Sequence, residues 1–238
     1  MNPATSKDAK RLFAATKKAG EKAKQVSLVV APPSLYLREL SQGYRGRIAF
    51  AVQNAFYELV GSRTGEISYV QAADSRATYA IVGHAERRTL GETNDDARLK
   101  VAAAYAAGMI PILCIGEQKR SIHGDHFPLL KEQMVIGLKD IPVSALKKVV
   151  IAYEPVWAIG ASASMNPRDM HEMAIFIRKS IVERYGPVGM DMKILYGGSI
   201  DDTSARPMLE QGDVNGLLVG RASVEVERLT KLIASIAS

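Results

Sequence analysis

Glu154 stands at the end of an apolar segment, where a carboxylate can take part in proton transfer. It closes the run Val149–Glu154 and precedes Pro155. The apolar neighbours Val156 and Trp157 would shield the carboxylate from water and make it a stronger base. The alternative is an acid held in an ion pair at a strand end, with no catalytic role. Position alone does not decide between the two.

His84 ends a second apolar run, Tyr79–His84, and directly follows Gly83. A neutral imidazole at such a position can polarise a carbonyl group or shuttle a proton. A single histidine on an apolar strand is more often a core residue whose hydrogen bonds are satisfied. Both interpretations stay open on the residue type alone.

Two glycine clusters provide candidate anion sites. They are Gly197-Gly198-Ser199 and the segment from Gly216 to Gly220. Backbone amides exposed near the ends of late strands can cradle a phosphate group. Each cluster is weak evidence when taken separately.

These candidate residues lie where short apolar runs end. Seven runs lack strict alternation of apolar and polar residues, which is typical of strands buried on both faces of a parallel sheet. They are Val26–Pro32, Ile48–Asn54, Tyr79–His84, Met109–Ile115, Val149–Glu154, Met192–Tyr196 and Gly216–Val219.

Helical patterns separate the apolar runs. The clearest cover Asn2–Gln25, Asn166–Tyr185 and Ser223–Ala237. Strands that alternate with helices indicate an α/β fold with crossover helices, in which ligands bind at the carboxyl ends of the strands. The repeat length favours a (β/α)8 barrel, and the alternative is an open doubly wound sheet. No linker divides the chain, so we expect a single domain over residues 1–238.

The charge is concentrated near the start of the sequence. The net charge is +6, and positions 1–25 hold seven basic and two acidic residues, which makes that segment +5. A basic helix can contact nucleic acid or an anionic surface. Because no set of aromatic residues is interleaved with these lysines, we interpret them as a solvent-exposed face and expect no nucleic-acid partner.

Composition sets further limits on the class of protein. With 47% hydrophobic and 24% charged residues, the chain resembles an average globular protein, and each apolar stretch is too short to span a membrane. The single cysteine, Cys114, excludes an internal disulfide and indicates a reducing, cytoplasmic compartment. The segment from His123 to His126 lacks further ligands, so we expect a solvent-exposed loop there and no metal.

Six segments together resemble the signatures of the triosephosphate isomerase family, in that family's order and spacing. They are Gln53-Asn54, Gly83-His84-Ala85-Glu86-Arg87-Arg88, Cys114-Ile115-Gly116-Glu117, Ala152-Tyr153-Glu154-Pro155-Val156-Trp157-Ala158-Ile159-Gly160, Tyr196-Gly197-Gly198-Ser199 and Asp213-Val214-Asn215-Gly216. The resemblance implies a TIM barrel, usually a homodimer. It also implies interconversion of dihydroxyacetone phosphate and glyceraldehyde 3-phosphate, in glycolysis and gluconeogenesis, without a cofactor or metal.

The resemblance also implies roles for individual residues. Glu154 would be the base that moves the proton and His84 the electrophile, the division of labour for which triosephosphate isomerase is itself the standard example. Glu86 would lie next to the catalytic residues without contacting the substrate itself. The remaining implied roles are phosphate binding by Gly160, Ser199 and Gly220, a mobile lid that begins with Pro155, Val156 and Trp157, and insertion of Thr64, Gly65 and Glu66 into a partner subunit.

One departure from the family concerns the first strand. In the family a strand ending in Ala-Asn-Trp-Lys runs directly into Met-Asn-Pro, whereas the sequence here begins Met1-Asn2-Pro3. We therefore expect an incomplete barrel with seven strands and eight helices, without the active-site Asn and Lys and with a perturbed dimer interface. Each preorganised donor contributes about 2.7–4 kcal/mol to the transition state, so the expected rate is lower by several orders of magnitude.

Two smaller departures lie near the expected phosphate site. The lid reads Gly160-Ala161-Ser162-Ala163-Ser164, where a second glycine is usual, so we expect a stiffer hinge. Arg221 follows Gly220 where a second glycine is usual, and we expect it to block the site or face solvent, although it could supply a compensating charge.

Three hypotheses follow from the sequence. The first is an isomerase homologue that is strongly impaired as the sequence stands. The second is a fully active enzyme whose start was misassigned or truncated. The third is a non-catalytic binding or scaffold protein that keeps the barrel and binds a phosphate-like anion.

Overall fold

A computed structural model describes residues 2–120, 123–159 and 164–237. It contains one parallel sheet of seven strands, which follow one another in chain order. The strands are β1 (Val29–Val30), β2 (Ala49–Val52), β3 (Ala77–Val82), β4 (Ile110–Ile115), β5 (Val150–Tyr153), β6 (Lys193–Tyr196) and β7 (Gly216–Leu217). Each lies within one of the predicted runs except β3, which begins two residues earlier than predicted. The sequential order excludes the doubly wound alternative, which requires a reversal of strand order.

The sheet curls into a barrel that does not close. β1 pairs with β2 through Val29 and Ala49, and β7 pairs with β6 through Leu195 and Gly216. Within the part of the chain that the structure describes, β1 and β7 are not hydrogen-bonded to each other. The prediction of an incomplete barrel with seven strands is confirmed.

The described residues form nine α-helices. They are α1 (Ser6–Lys22), α2 (Ser34–Ser41), α3 (Tyr69–Asp74), α4 (Ala85–Thr89), α5 (Asn94–Ala106), α6 (His126–Gly137), α7 (Pro167–Tyr185), α8 (Ala205–Gln211) and α9 (Val226–Ala237). The sequence predicts eight helices, and the additional one among the described residues is α4, a single short turn after β3. Short 3-10 helices cover Val143–Lys148, Val156–Ala158, Pro187–Asp191 and Arg221–Val224. None of the described helices combines the length and apolar character needed to cross a membrane.

Local capping sets the helix ends. The Thr5 side chain accepts a hydrogen bond from the Asp8 backbone N–H at 3.1 Å, so α1 begins later than the predicted Asn2. Asn166 caps α7 in the same way, and Gly186, with φ +81°, ends it. The predicted last helix, Ser223–Ala237, is divided into a 3-10 turn and α9.

Two apolar layers hold the barrel. The larger layer lies between the strands and the surrounding helices, and it includes fully buried Leu113, Ile151 and Met173. A smaller cluster of Ile112, Cys114, Val150 and Ala152 fills the inner face of the sheet. The α7 residues that pack in the larger layer are Met170, Met173, Ala174, Ile177 and Ile181.

A cavity of about 2290 Å³ extends from the inside of the sheet to α1 and α9. Leu12 and Phe13 of α1 and Leu232 and Ile233 of α9 contribute to its wall. The two helices pack against each other across the seam between β1 and β7. The seam is therefore covered by helices on the outside and remains open on the inside.

Candidate active site

The ends of β3 and β5 bring His84 and Glu154 together. His84 follows β3 by two residues, and Glu154 directly follows β5. Nε2 of the imidazole lies 3.0 Å from Oε1 of the carboxylate. Both residues line the large cavity.

Glu154 is held by hydrogen bonds at its backbone and at its side chain. Its backbone N–H donates to the carbonyl of Ile115 at 2.7 Å, and its Oε2 accepts from the backbone N–H of Ala85 at 2.9 Å. The residue is 2% exposed. The carboxylate is therefore buried and oriented, as a positioned base must be.

Two glycines make room for Glu154. A Cβ on Gly116 would lie 1.9 Å from the carbonyl oxygen of Glu154, and one on Gly197 would lie 2.8 Å from its Cγ. Real Cβ atoms do not approach so closely. Only glycine therefore fits at position 116, directly after β4, and at position 197, directly after β6. The Gly197 cluster therefore serves close packing around the carboxylate.

His84 is fixed at the start of α4. It is the N-cap residue, and its Nδ1 accepts a hydrogen bond from the backbone N–H of Glu86 at 3.3 Å. Since Nδ1 accepts, the neutral ring carries its proton on Nε2 and directs it at Glu154. Burial opposes protonation, but the hydrogen bond and charge of Glu154, with the charge of Glu86, outweigh it and raise the pKa of His84 above 6.5.

Glu86 lies beside His84 and turns its carboxylate outward. Oε2 is 3.9 Å from Nδ1 of His84, and the side chain is 71% exposed. The carboxylate contributes charge to the imidazole at this distance. The backbone of Glu86, through its N–H, makes the closer contact with the ring.

The predicted lid base forms a 3-10 turn over Val156–Ala158 that is tied to Glu117. The Val156 backbone N–H donates to the Glu117 carbonyl at 3.0 Å. The indole N–H of Trp157 and the hydroxyl of Tyr153 both donate to Oε1 of Glu117 at 2.8 Å. In the sequence, Glu117 is recognisable only as part of the Cys114–Glu117 motif. Its role as an acceptor for Tyr153 and Trp157 is visible only in the structure.

The predicted phosphate residues lie on the same cavity as His84 and Glu154. The Ser199 backbone N–H donates to the Ala158 carbonyl at 3.2 Å, which connects the turn after β6 to the lid base. Gly220 is exposed, and a Cβ there would meet no atom of the described residues within 4 Å. Arg221 is exposed at the start of a 3-10 turn. Gly160 lies outside the described residues.

The predicted dimer loop is exposed at Thr64, Gly65 and Glu66. Apolar Leu59 and Val60 precede it and are 41% and 86% exposed. An exposed apolar segment of this kind is typical of surfaces that contact another chain.

The segment from His123 to His126 differs from the sequence prediction. His126 begins α6 and is 5% exposed, with its ring 4.1 Å from that of Phe127. It is buried because the helix starts immediately after Asp125, so the prediction of a solvent-exposed loop is wrong at this residue. Among the described residues, no group of three His, Cys, Asp or Glu side chains could hold a metal ion.

Comparison with known proteins identifies the family. The family model described as Triosephosphate isomerase matches residues 1–236. Triosephosphate isomerase from Endomicrobium trichonymphae is 38% identical over 211 residues, covering 87% of this chain and 84% of that relative. The protein of the same name from Trichlorobacter lovleyi is 37% identical, with 88% and 85% covered, and that from Coprinopsis cinerea is 36% identical, with 95% and 91% covered. With the resemblance of its six motifs, this match shows that the chain belongs to the triosephosphate isomerase family.

Proposed function

We propose that this chain is a single-domain isomerase that interconverts dihydroxyacetone phosphate and glyceraldehyde 3-phosphate without a cofactor. The observation that carries the proposal is the 3.0 Å contact between His84 and Glu154 at the carboxyl ends of β3 and β5. A carboxylate base and an N–H donor at this separation can act on adjacent atoms of one small substrate.

The reaction needs only proton transfers. The Glu154 carboxylate removes a proton from one carbon of the triose, and Nε2–H of His84 stabilises the negative charge that develops on the neighbouring oxygen. The resulting enediolate then takes that proton back on the adjacent carbon, while the hydroxyl proton passes through Nε2 of His84 from its oxygen to the neighbouring oxygen, so that no atom is gained or lost. Burial of the site strengthens both interactions, because water does not screen them.

We further propose that the 238 residues alone catalyse this reaction slowly. The basic residues that line the cavity are Arg87, Lys147, Lys148, Lys193, Arg221 and Arg228. Lys147 and Lys148 precede β5, and Lys193 begins β6, so these three lie at the amino ends of the strands, away from Glu154. The family's active-site Asn and Lys have no counterpart at matching motif positions of these 238 residues, and each such missing donor is expected to lower turnover by about 10²- to 10³-fold.

A bound phosphate would face the segment around Ser199, Gly220 and the lid. We propose that Gly160, in the lid, binds the same phosphate. Arg221 is exposed beside Gly220, which supports the interpretation that it faces solvent at the edge of the phosphate site. The alternative, that its guanidinium replaces the missing cation, predicts that Arg221→Ala abolishes the residual turnover.

We propose a homodimer in the cytoplasm. The exposed loop of Thr64, Gly65 and Glu66, with Leu59 and Val60, supports a contact with a second copy of the chain. The single cysteine supports a reducing compartment. Sedimentation of the purified chain tests the dimer, and Val60→Asp should shift it to the monomer.

The decisive test is isomerase turnover of the 238-residue chain and of the same chain extended by a strand ending in Ala-Asn-Trp-Lys. Low turnover that Glu154→Gln abolishes, and that the extension raises by about 10³-fold or more, supports the proposal. Normal turnover of the unextended chain overturns the proposed impairment. No turnover in either form overturns the isomerase proposal, and calorimetry with inorganic phosphate then tests a purely binding role.

A further inference from the structure

A buried pair of charged residues lies behind His84 without touching its side chain. The side chain of Glu92 is 2% exposed and that of Lys100, on α5, is 7% exposed. Nζ of Lys100 bonds to Oε2 of Glu92 and to Oδ1 of Asn54, the latter at 2.8 Å. The Glu92 carboxylate is thereby held by the ammonium group of Lys100, and Nε of Arg87 lies 3.5 Å from the same oxygen.

The other oxygen of Glu92 reaches the backbone next to His84. Oε1 accepts from the backbone N–H of Gly83 at 2.8 Å. The carbonyl of Gly83 accepts from Nε of Arg88 at 2.8 Å. Charged side chains therefore bind the N–H and the C=O of the residue that joins β3 to His84.

Gly83 adopts a backbone conformation that side chains rarely allow. Its φ is +71°, and a Cβ there would lie 3.0 Å from Nη2 of Arg88 and 3.1 Å from the carbonyl oxygen of Cys114. A left-handed residue at this point redirects the chain from the strand into α4. The direction of the His84 side chain depends on how that turn is held.

The pairing of Glu92 with Lys100 is of a kind that contributes little to stability. Removing two charges from water costs about as much as their attraction returns, so an apolar pair of similar volume would often be as stable. What such a pair can contribute is a fixed orientation of the two side chains. The element it fixes is the Gly83 peptide, because that is where Glu92 places its remaining oxygen.

We propose that Glu92, oriented by Lys100, is a positioning residue for His84. Its carboxylate fixes the Gly83 peptide and so sets the direction in which His84 presents Nε2–H to Glu154. The importance of this for catalysis rests on the proposed function, whereas the placement of His84 can be measured without any turnover.

Two double variants separate positioning from charge. Glu92→Met/Lys100→Met removes both charges and the acceptor for Gly83, while Glu92→Gln/Lys100→Met removes both charges and keeps an acceptor oxygen. Both also remove the Glu92 carboxylate from Arg87, whose Nε lies 3.5 Å from Oε2 and whose side chain is 41% exposed, so this loss is common to the two variants. The only designed difference between them is the hydrogen bond to the Gly83 N–H.

The readout is an NMR titration of the His84 imidazole, identified among the four histidines by its loss in His84→Gln. The methionine variant should lower the midpoint by about 0.5 pH unit or more, because a loosened contact with Glu154 favours the imidazolium less. The glutamine variant should retain the midpoint of the unaltered chain. Equal shifts in both variants would assign the effect to charge, and no shift in either would show that His84 does not depend on Glu92, so both outcomes overturn the proposal.

A measurement on the unaltered chain keeps the test decisive if a variant fails to fold. A scalar coupling across the hydrogen bond between the Gly83 nitrogen and the Glu92 carboxyl carbon is expected, and its absence overturns the proposal. An inactive chain would overturn the proposed function and would leave the outcome of these measurements unchanged.

Discussion

His84 and Glu154 are hydrogen-bonded to each other, with Nε2 of the imidazole 3.0 Å from Oε1 of the carboxylate. The second carboxylate oxygen accepts from the backbone N–H of Ala85, the residue that follows His84. Glu154 therefore binds both a side chain and a backbone group of one turn. The charge state of either residue directly affects the other.

This contact gives the stability of the chain a pH dependence. The hydrogen bond and charge of Glu154 outweigh burial and raise the pKa of His84 above 6.5 in the folded chain. A raised pKa means that the folded state binds the proton more tightly, so the contribution to stability is full below 6.5 and is lost as the pH rises through the folded pKa. The loss of unfolding free energy caused by His84→Gln should therefore be larger at about pH 5.5 than at about pH 8.5, as measured by urea unfolding.

The control removes the partner of His84. In a Glu154→Gln background, the cost of His84→Gln should no longer be larger at about pH 5.5, because burial, which opposes protonation, is then countered only by the charge of Glu86. A cost that rises with pH in the unaltered background would contradict the assigned direction of the shift.

Gly116 is expected to tolerate no side chain. In Gly116→Ala, the new Cβ would lie 1.9 Å from the carbonyl oxygen of Glu154, which is backbone and cannot rotate away. We expect Gly116→Ala to lower the unfolding free energy by about 3 kcal/mol or more, at the upper end of overpacking costs. Gly220→Ala is the matched control, because its added Cβ has no neighbour within 4 Å in the part of the chain that the structure describes. Similar unfolding free energies for the two variants would show that the contact at Gly116 can relax.

The strands could be predicted from the sequence because both faces of a barrel strand are apolar. The central strand β4 covers Ile110–Ile115, within one residue of its predicted start. The edge strands are much shorter than predicted, since β1 covers only Val29–Val30 and β7 only Gly216–Leu217. The length of a strand depends on hydrogen bonds to a neighbouring strand on each side. The apolar pattern does not show that, among the described strands, β1 and β7 each have a neighbour on one side only.

The site could be predicted in part, for a related reason. Glu154 and His84 come directly after strands, so parallel topology alone brings them to one end of the barrel. Glu92 lies in a turn and Lys100 in a helix, and no sequence pattern indicates that the Glu92 carboxylate reaches Gly83 or that Lys100 binds it. The burial of His126 is not predictable from the sequence either, because its side-chain type does not indicate the helix start that buries it.

The shared acceptor Glu117 should make Tyr153 more important for stability than Trp157. Tyr153 is fully buried, whereas Trp157 is 39% exposed, so water can replace only the indole contact. Burial and the charge of Glu117 raise the pKa of Tyr153, which keeps its hydroxyl a donor. Tyr153→Phe should cost about 1.5–3 kcal/mol, the range for a hydrogen bond to a charged group, and Trp157→Phe less, as measured by urea unfolding. A larger cost for Trp157→Phe would contradict this order.

Cys114 should be inert toward thiol reagents in the folded chain. It is completely buried in β4, and burial, with the nearby charge of Glu154, raises the pKa of its thiol well above the usual value. Because only the thiolate reacts, labelling should require unfolding, and its rate should rise with urea in parallel with the unfolding rate. The fully denatured chain should label once, at its single cysteine. Rapid labelling in the absence of urea would show that the inner face of β4 is open to reagents.

The unpaired seam should open before the centre of the sheet. β4 is hydrogen-bonded to β3 and β5, while β1 pairs with β2 and β7 with β6, and the cavity lies between the last two edges. Backbone amides of β1 and β7 should therefore exchange with deuterium at least about tenfold faster than those of β4, which corresponds to an opening free energy about 1.4 kcal/mol lower. Extending the chain by the strand used in the turnover assay should slow exchange in β1 and β7 and change β4 much less. Uniform exchange across the seven strands, or slowing of all of them alike, would show that the seam opens only when the whole domain unfolds.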